Sequence, residues 1–233
     1  MLTLAFDTSA KTASVAVLED DTVVYDVMIN AGKNHSEVLL PAIGQACAGS
    51  GVHIRQIDLF ACTLGPGSFT GLRIGLSTLK GLMMATGKPG AGVSSLHALA
   101  LNARHSTGTV AAMMDAGRGQ VYLAYFRSDE DGFLHPLGPE TATAPQNIAD
   151  CPYEEVVYVG DGAVKYAAVI NSSPGRNQLV FAESQFIRAW AVGLLAVEKY
   201  RSRDLLDIQK TTPVYLRPAD AAPGKHVFPR QTV

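Results

Sequence analysis

The sequence predicts an α/β protein of two tandem lobes, each running strand-strand-strand-helix-strand-helix. Three observations carry that expectation. Apolar runs of strand length and segments of helical period follow one another in the same order in both halves. Each half places an aspartate turn directly after its first strand, Asp7-Thr8-Ser9 and Asp115-Ala116-Gly117-Arg118-Gly119. Each then has a second acidic turn, Asp20-Asp21 and Asp129-Glu130-Asp131-Gly132, of the kind that closes a hairpin. Identity between the halves is negligible, so the duplication is one of order alone.

In the first half, strands are expected at Leu2–Phe6, Ser14–Leu18 and Val23–Ile29. A helix follows from His35 to Ala48, with Val38, Leu39, Ala42, Ile43 and Ala46 on its apolar side. Asn34 or Ser36 can cap it, Pro41 sits just past its first turn, and Gly49 and Gly51 stop it. The strand Leu59–Leu64 leads into the rigid turn Gly65-Pro66-Gly67 and a helix opening at Ser68 and running to Ala85. That helix carries Gly71, Gly75 and Gly81, each of which costs about 1 kcal/mol relative to alanine. Close approach of another backbone is the physical reason to accept such a cost. Ser77, Gly81 and Ala85 continue the small residues at four-residue spacing, so the helix is expected to lie against a helix of another subunit.

The second half repeats the order. Strands are expected at Thr109–Met114, Val121–Phe126 and, more weakly patterned, Phe133–Leu137. A short helix near Pro145–Ala149 precedes the strand Val156–Val159, the turn Gly160-Asp161-Gly162 and a helix from Ala163. An amphipathic helix from Ser184 to Tyr200 is expected to close this half. The lobes divide as 1–104 and 105–212. Residues 213–233 form a C-terminal segment: Pro213–Pro218 extended and packed back on a lobe, Ala219–Val233 frayed.

Composition narrows the function. The chain has 233 residues, 47% hydrophobic and 17% charged, which suits a folded globular protein. A net charge of −2 with scattered Lys and Arg lacks the basic stripe of a chain that grips nucleic acid alone. No basic leader opens the chain and no run approaches the roughly 18 apolar residues of a membrane span. Cys47, Cys62 and Cys151 are odd in number and far apart, as expected of free thiols in a reducing cytoplasm. The histidines at 35, 53, 97, 105, 135 and 226 never recur at the i, i+4 spacing that holds a metal on a helix. Neither a P-loop, nor a dinucleotide fingerprint, nor a nucleophile elbow is present. No complete catalytic set and no metal site are expected.

The element order with paired aspartate turns is that of the actin-like (ribonuclease-H-like) fold. In that fold the two turns face each other across a cleft, where amide nests and carboxylates hold nucleotide phosphates and a metal ion. The residues here that fit such a cleft are Asp7, Thr8, Asp115, Gly117, Arg118 and Gly160, with ATP or ADP as the ligand. The first turn lacks any glycine, so the bland alternative is a tight strand connection and an empty, vestigial cleft. A stand-alone actin-like ATPase or kinase, with Asp7 and Asp115 around Mg-nucleotide, is the rival reading.

Four segments carry a closer resemblance: Ala5–Ser9, Gly65-Pro66-Gly67-Ser68-Phe69-Thr70-Gly71 with its continuation to Gly75, Asp115–Tyr122 and Pro213–Arg217. Together they resemble the bacterial TsaB (YeaZ) family. The resemblance implies an actin-like fold and a role in making N6-threonylcarbamoyladenosine at adenosine 37 of tRNAs reading ANN codons. It implies an accessory subunit, without peptidase activity and without a required cofactor, that pairs with its catalytic paralogue TsaD. The ATPase TsaE joins the assembly, tRNA is met only through the complex, and the isolated chain forms a homodimer. TsaD holds a metal through His-x-x-x-His on a helix, which this sequence lacks. The partner interface is then expected on the two first-lobe helices, at His35, Leu39, Ile43, Phe69, Gly71, Gly75, Ser77, Thr78 and Gly81.

Overall fold

The structure, a computed structural model, describes residues 1–30, 34–129, 132–172, 177–181 and 184–217. The first lobe runs β1 (Leu2–Asp7), β2 (Ala13–Glu19), β3 (Thr22–Ile29), α1 (His35–Ser50), β4 (Leu59–Gly65), α2 (Phe69–Thr86), β5 (Gly90–Ser94) and α3 (Ser95–Ala100). The second runs β6 (Thr109–Gly117), β7 (Gln120–Ser128), β8 (Leu134–Pro136), β9 (Thr141–Thr143), β10 (Glu155–Val159), α4 (Asp161–Lys165), α5 (Ala167–Asn171), β11 (Asn177–Phe181) and α6 (Ala189–Arg201). Among the described residues these strands form two sheets, ordered β3-β2-β1-β4-β5 and β11-β10-β6-β7-β8. Both have an antiparallel meander on one side of the first strand and parallel strands on the other. The duplication of order is therefore real, and Asp7 and Asp115 stand at equivalent strand ends.

Each lobe also gains a strand that the sequence reading lacked. β5 extends the first sheet parallel to β4, and β11 extends the second parallel to β10. The third strand of the second lobe is split: β8 pairs with the far end of β7 and β9 with its near end. Residues 145–150 form a 3-10 turn rather than an α-helix, and the helix expected from Ala163 is broken into α4 and α5. The Glu130-Asp131 part of the second acidic turn, Pro218, and residues 219–233, where fraying is expected, lie outside the described residues.

The hydrophobic stripes of α1 and α2 explain their seats. Leu39, Ala42, Ile43 and Ala46 of α1 and Leu72, Leu76, Leu79 and Met83 of α2 are buried against the first sheet. Gly51 and Gly87 end the two helices in the left-handed conformation, where glycine carries no Cβ penalty. Ser68 caps α2 by accepting the Gly71 amide at 3.2 Å.

Two helices connect the lobes. α3, from the first lobe, packs on β6 and β7 of the second; α6, from the second, packs on β1, β2, β4 and β5 of the first. The expectation that α6 closes its own half is corrected here, and it begins at Ala189 rather than Ser184. Ala5 and Ala61 of the first sheet, Leu96 and Leu99 of α3, Val110 and Ala112 of the second sheet and Val192 and Ala196 of α6 form one continuous core. The sheets divide near residue 104, but the packing does not.

Candidate functional site

The first aspartate turn is filled by the chain itself. Asp7 Oδ1 accepts from the Ser9 amide at 3.0 Å, the Ser9 hydroxyl at 2.6 Å and the Thr63 hydroxyl at 2.5 Å. Its Oδ2 is buried with no hydrogen-bond partner among the described residues. Burial pushes the carboxyl above its ordinary range, and the Ser9 and Thr63 bonds only partly oppose it. The start of α2 then closes over the turn. The Ser68 amide donates to Ser9 O at 2.7 Å, and the Thr8 hydroxyl donates to Gly71 O at 2.7 Å. A Cβ on Gly67 would strike Ser9 O, one on Gly71 would strike Thr8 O, and one on Gly75 would lie 2.6 Å from Thr8 Oγ1.

That geometry corrects the interface reading. Gly71 and Gly75 face the chain's own first turn, not a second subunit. His35, Leu39 and Ile43 are likewise buried inside the lobe. His35 Nε2 has no hydrogen-bond partner among the described residues, and the helix cap expected from Asn34 is a bond to the Glu37 carboxylate at 3.1 Å instead. Phe69, Ser77, Thr78 and Gly81 do lie at the surface or partly exposed.

The second turn is more open. Gly117, Arg118 and Gly119 all take positive φ, so this loop needs its glycines. Asp115 accepts the Gly117 amide at 3.1 Å and pairs with Lys165 at 2.7 Å, while its own amide donates to Asp161 at 3.0 Å. Burial raises the Asp161 carboxyl; the bond from the Asp115 amide opposes this, the charge on Asp115 adds to it, and Lys11 from the first lobe opposes it. Gly160 has φ 108°, and a Cβ there would strike Met113 O, so backbone conformation and close packing account for the glycine. Asp7 and Thr8 thus sit on the first turn, Asp115, Gly117 and Arg118 on its equivalent in the second lobe, and Gly160 on the separate β10–α4 connection. Asp115 and Asp7 Oδ1 are already engaged within the chain, and Asp7 Oδ2 is buried without a partner among the described residues. Among the described residues there is no group of three or more His, Cys, Asp or Glu that could hold a metal ion.

The open feature is a groove of about 440 Å³ between α1 and α2, lined by Ser36, Leu39, Leu40, Phe69, Ile74 and Ser77 among others. Leu40 is 59% exposed and Met84, farther along α2, is 77% exposed. Thr70, Ile74, Ser77, Gly81 and Met84 recur at alternating spacings of four and three, the seam spacing of paired helices. On α1, Ser36, Leu40 and Gly44 follow one another four residues apart. A Cβ at Gly44 or Gly81 would meet nothing within 4 Å among the described residues. Neither glycine is therefore required by the packing of the described residues. Gly44 escaped the sequence reading, although its four-residue spacing from Leu40 was available.

The C-terminal segment frames the groove. The Val214 amide donates to Leu64 O at 2.7 Å, the Tyr215 ring packs on Phe69 with ring centres 4.8 Å apart and planes tilted by 33°, and Arg217 donates to Ala116 O at 2.6 Å. Behind it lies a second cavity of about 340 Å³ that includes Ser94, His97, Glu140 and Glu198. Ser94 donates to Glu140, and His97 Nε2 lies 2.9 Å from the backbone oxygen of Leu134.

Comparison with known proteins places this geometry. Residues 29–190 match the family model described as TsaD: tRNA N6-adenosine threonylcarbamoyltransferase. The chain is 30% identical to a tRNA threonylcarbamoyladenosine biosynthesis protein TsaB of Bacillus subtilis, over 95% of this chain and 96% of that one. It is also 30% identical to the TsaB protein of Escherichia coli, over 93% and 95%. YeaZ from Pseudomonas aeruginosa superposes with a TM-score of 0.82 at 28% identity, covering 92% of this chain and 99% of that one. The Acidaminococcus fermentans (R)-2-hydroxyglutaryl-CoA dehydratase component A, at 12% identity and a TM-score of 0.55, shares the fold alone. The fold is actin-like.

Proposed function

The chain belongs to the TsaB (YeaZ) family of tRNA threonylcarbamoyladenosine biosynthesis proteins, and from that premise we propose that it acts as a non-catalytic subunit docking TsaD on its α1–α2 groove. The observation that carries the reading is the uncovered groove itself, with exposed Leu40 and the 70-74-77-81-84 seam. TsaD is the occupant because most of this chain matches the TsaD family model, so the partner offers the same pair of helices. Two like lobes can then meet α1–α2 on α1–α2 about a local twofold axis, and a second copy of this chain can use the same face when TsaD is absent. TsaE joins the pair, and tRNA is met through the complex, in keeping with the net charge of −2.

The absence of catalysis rests on two points. The sequence has no His-x-x-x-His, and Asp7 is buried beneath α2 with its turn already bonded to Ser68 and Gly71. The chain therefore needs no nucleotide or metal of its own. In a reconstituted system of TsaD, TsaE, tRNA and a threonylcarbamoyl donor, wild-type chain restores modification, whereas Ser77→Arg and Leu40→Glu do not. Both side chains are exposed, so the variants fold. Full activity from both would overturn the docking surface.

A further inference from the structure

The segment from Leu206 to Arg217 touches three parts of the molecule in turn. The Leu206 amide donates to Gly90 O at 2.9 Å at the start of β5. Lys80 of α2 donates to Thr211 O at 2.8 Å, and Arg73 Nε donates to the Tyr215 hydroxyl at 3.2 Å. Seven residues of helix, about 10 Å of rise, are thus matched by four residues of extended chain, about 13 Å, running the opposite way. At its end Arg217 Nη1 bonds Ala116 O at 2.6 Å and Gly117 O at 3.3 Å, on the β6–β7 turn of the second lobe. Gly65, with φ 130°, leaves room for the Val214 carbonyl, which a Cβ there would strike.

Two of these contacts involve groove-lining residues. Arg73 lies with its guanidinium carbon 3.8 Å from the centre of the Phe69 ring, and the Tyr215 ring packs at a tilt against that same ring. We propose that residues 206–217 are a strap that holds Phe69 and Arg73 in the docking-ready arrangement and couples the groove to the Asp115–Gly119 turn. The inference rests on the docking reading above and deepens it. Without Tyr215, the Phe69 ring loses its aromatic neighbour and the Arg73 side chain its hydroxyl acceptor, so both must be ordered again at each encounter. Because Arg217 follows Tyr215 by only two residues, loosening it from the turn loosens Tyr215 too. By linkage the effect runs both ways: a partner seated in the groove tightens the hold of Arg217 on Ala116 and Gly117. Tyr215 and Arg217 are positioning residues, outside the groove's lining.

The test is calorimetric affinity of the full chain for TsaD, compared among wild type, Tyr215→Ala, Arg217→Ala, Arg217→Lys, the double alanine variant and Ser77→Arg. Circular dichroism and Tm confirm that each is folded. Tyr215→Ala and Arg217→Ala are each expected to weaken docking about fivefold or more, and the double variant by less than the product. Arg217→Lys, which can still donate to a carbonyl, recovers part of the loss. Hydrogen exchange at the Gly117 and Gly119 amides slows on docking in wild type and not in Arg217→Ala. If Arg217→Ala docks as wild type and the turn exchanges identically with and without partner, the coupling is wrong. If Tyr215→Ala also docks as wild type, the strap is wrong altogether. Undiminished docking by Ser77→Arg refutes the groove reading instead, which separates the two failures.

Discussion

Replacing Gly71 and Gly81 separately by alanine distinguishes a glycine that serves the chain's own packing from one that serves an open face. At Gly81 nothing lies within 4 Å of the added Cβ among the described residues, and the helix interior gains intrinsic stability of about 1 kcal/mol. At Gly71 the same gain is opposed by a Cβ driven into the backbone carbonyl of Thr8. Overpacking of this kind costs roughly 1–3 kcal/mol, and the Thr8 hydroxyl bond to Gly71 O adds about 1 kcal/mol when it breaks. The net is a loss of about 1–3 kcal/mol. For a chain of this size each kcal/mol moves Tm by about 2–4 °C, so Gly71→Ala melts about 2–12 °C lower and Gly81→Ala about 2–4 °C higher. Urea unfolding and a thermal scan on the isolated chain read both. Equal or greater stability for Gly71→Ala would refute the close approach of α2 to the first turn.

Asp7→Asn keeps an oxygen for the three Oδ1 bonds and removes the charge. Because burial raises the Asp7 carboxyl in the folded state, the native chain holds a proton that the unfolded chain releases above about pH 4, so stability falls as pH rises through the raised value. Urea midpoints between about pH 4 and pH 7 are expected to decline in wild type and flatten in the variant; parallel curves would contradict it. Titration of the isolated chain with Mg-ATP is expected to give neither tight binding nor turnover, since the Asp7 turn is already bonded to Ser68 and Gly71; micromolar binding abolished by Asp7→Asn would revive the ATPase reading. Cys47, half-buried, is expected to react with a thiol reagent before Cys62, whose thiol burial pushes far up; rapid native-state labelling of Cys62 would mean the first lobe opens.

Much of the fold could be read from the chain because its central strands are continuous apolar runs, as strands buried on both faces must be. β5 was missed for the opposite reason. It reads Gly90-Ala91-Gly92-Val93-Ser94, and the missing side-chain volume is occupied by Met83 and by Leu64 and Leu206 from neighbouring elements. The role of α6 was misread although a signal existed: from Ala189 to Val197 the helix carries no charge, and a helix apolar around most of its circumference is covered on more than one side. The glycines of α2 held the clearest lesson. At about 100° per residue, Gly71 and Gly75 differ by only about 40°, whereas Gly81 is about 240° beyond Gly75. The sequence thus carried two small-residue faces, one pressed on Thr8 and one left open among the described residues, and spacing alone separated them. What it did not carry was which face looked inward, because that depends on the contact between α2 and a turn some sixty residues earlier.

The account turns on whether a catalytic subunit sits in the α1–α2 groove. The direct measurement is the affinity of TsaD for the wild-type chain and for Ser77→Arg, by isothermal titration. A long cation on the seam between Ile74 and Gly81 is expected to weaken docking by about a hundredfold or more, while Tm stays within a few degrees of wild type. An affinity unchanged within error would show that the partner binds elsewhere.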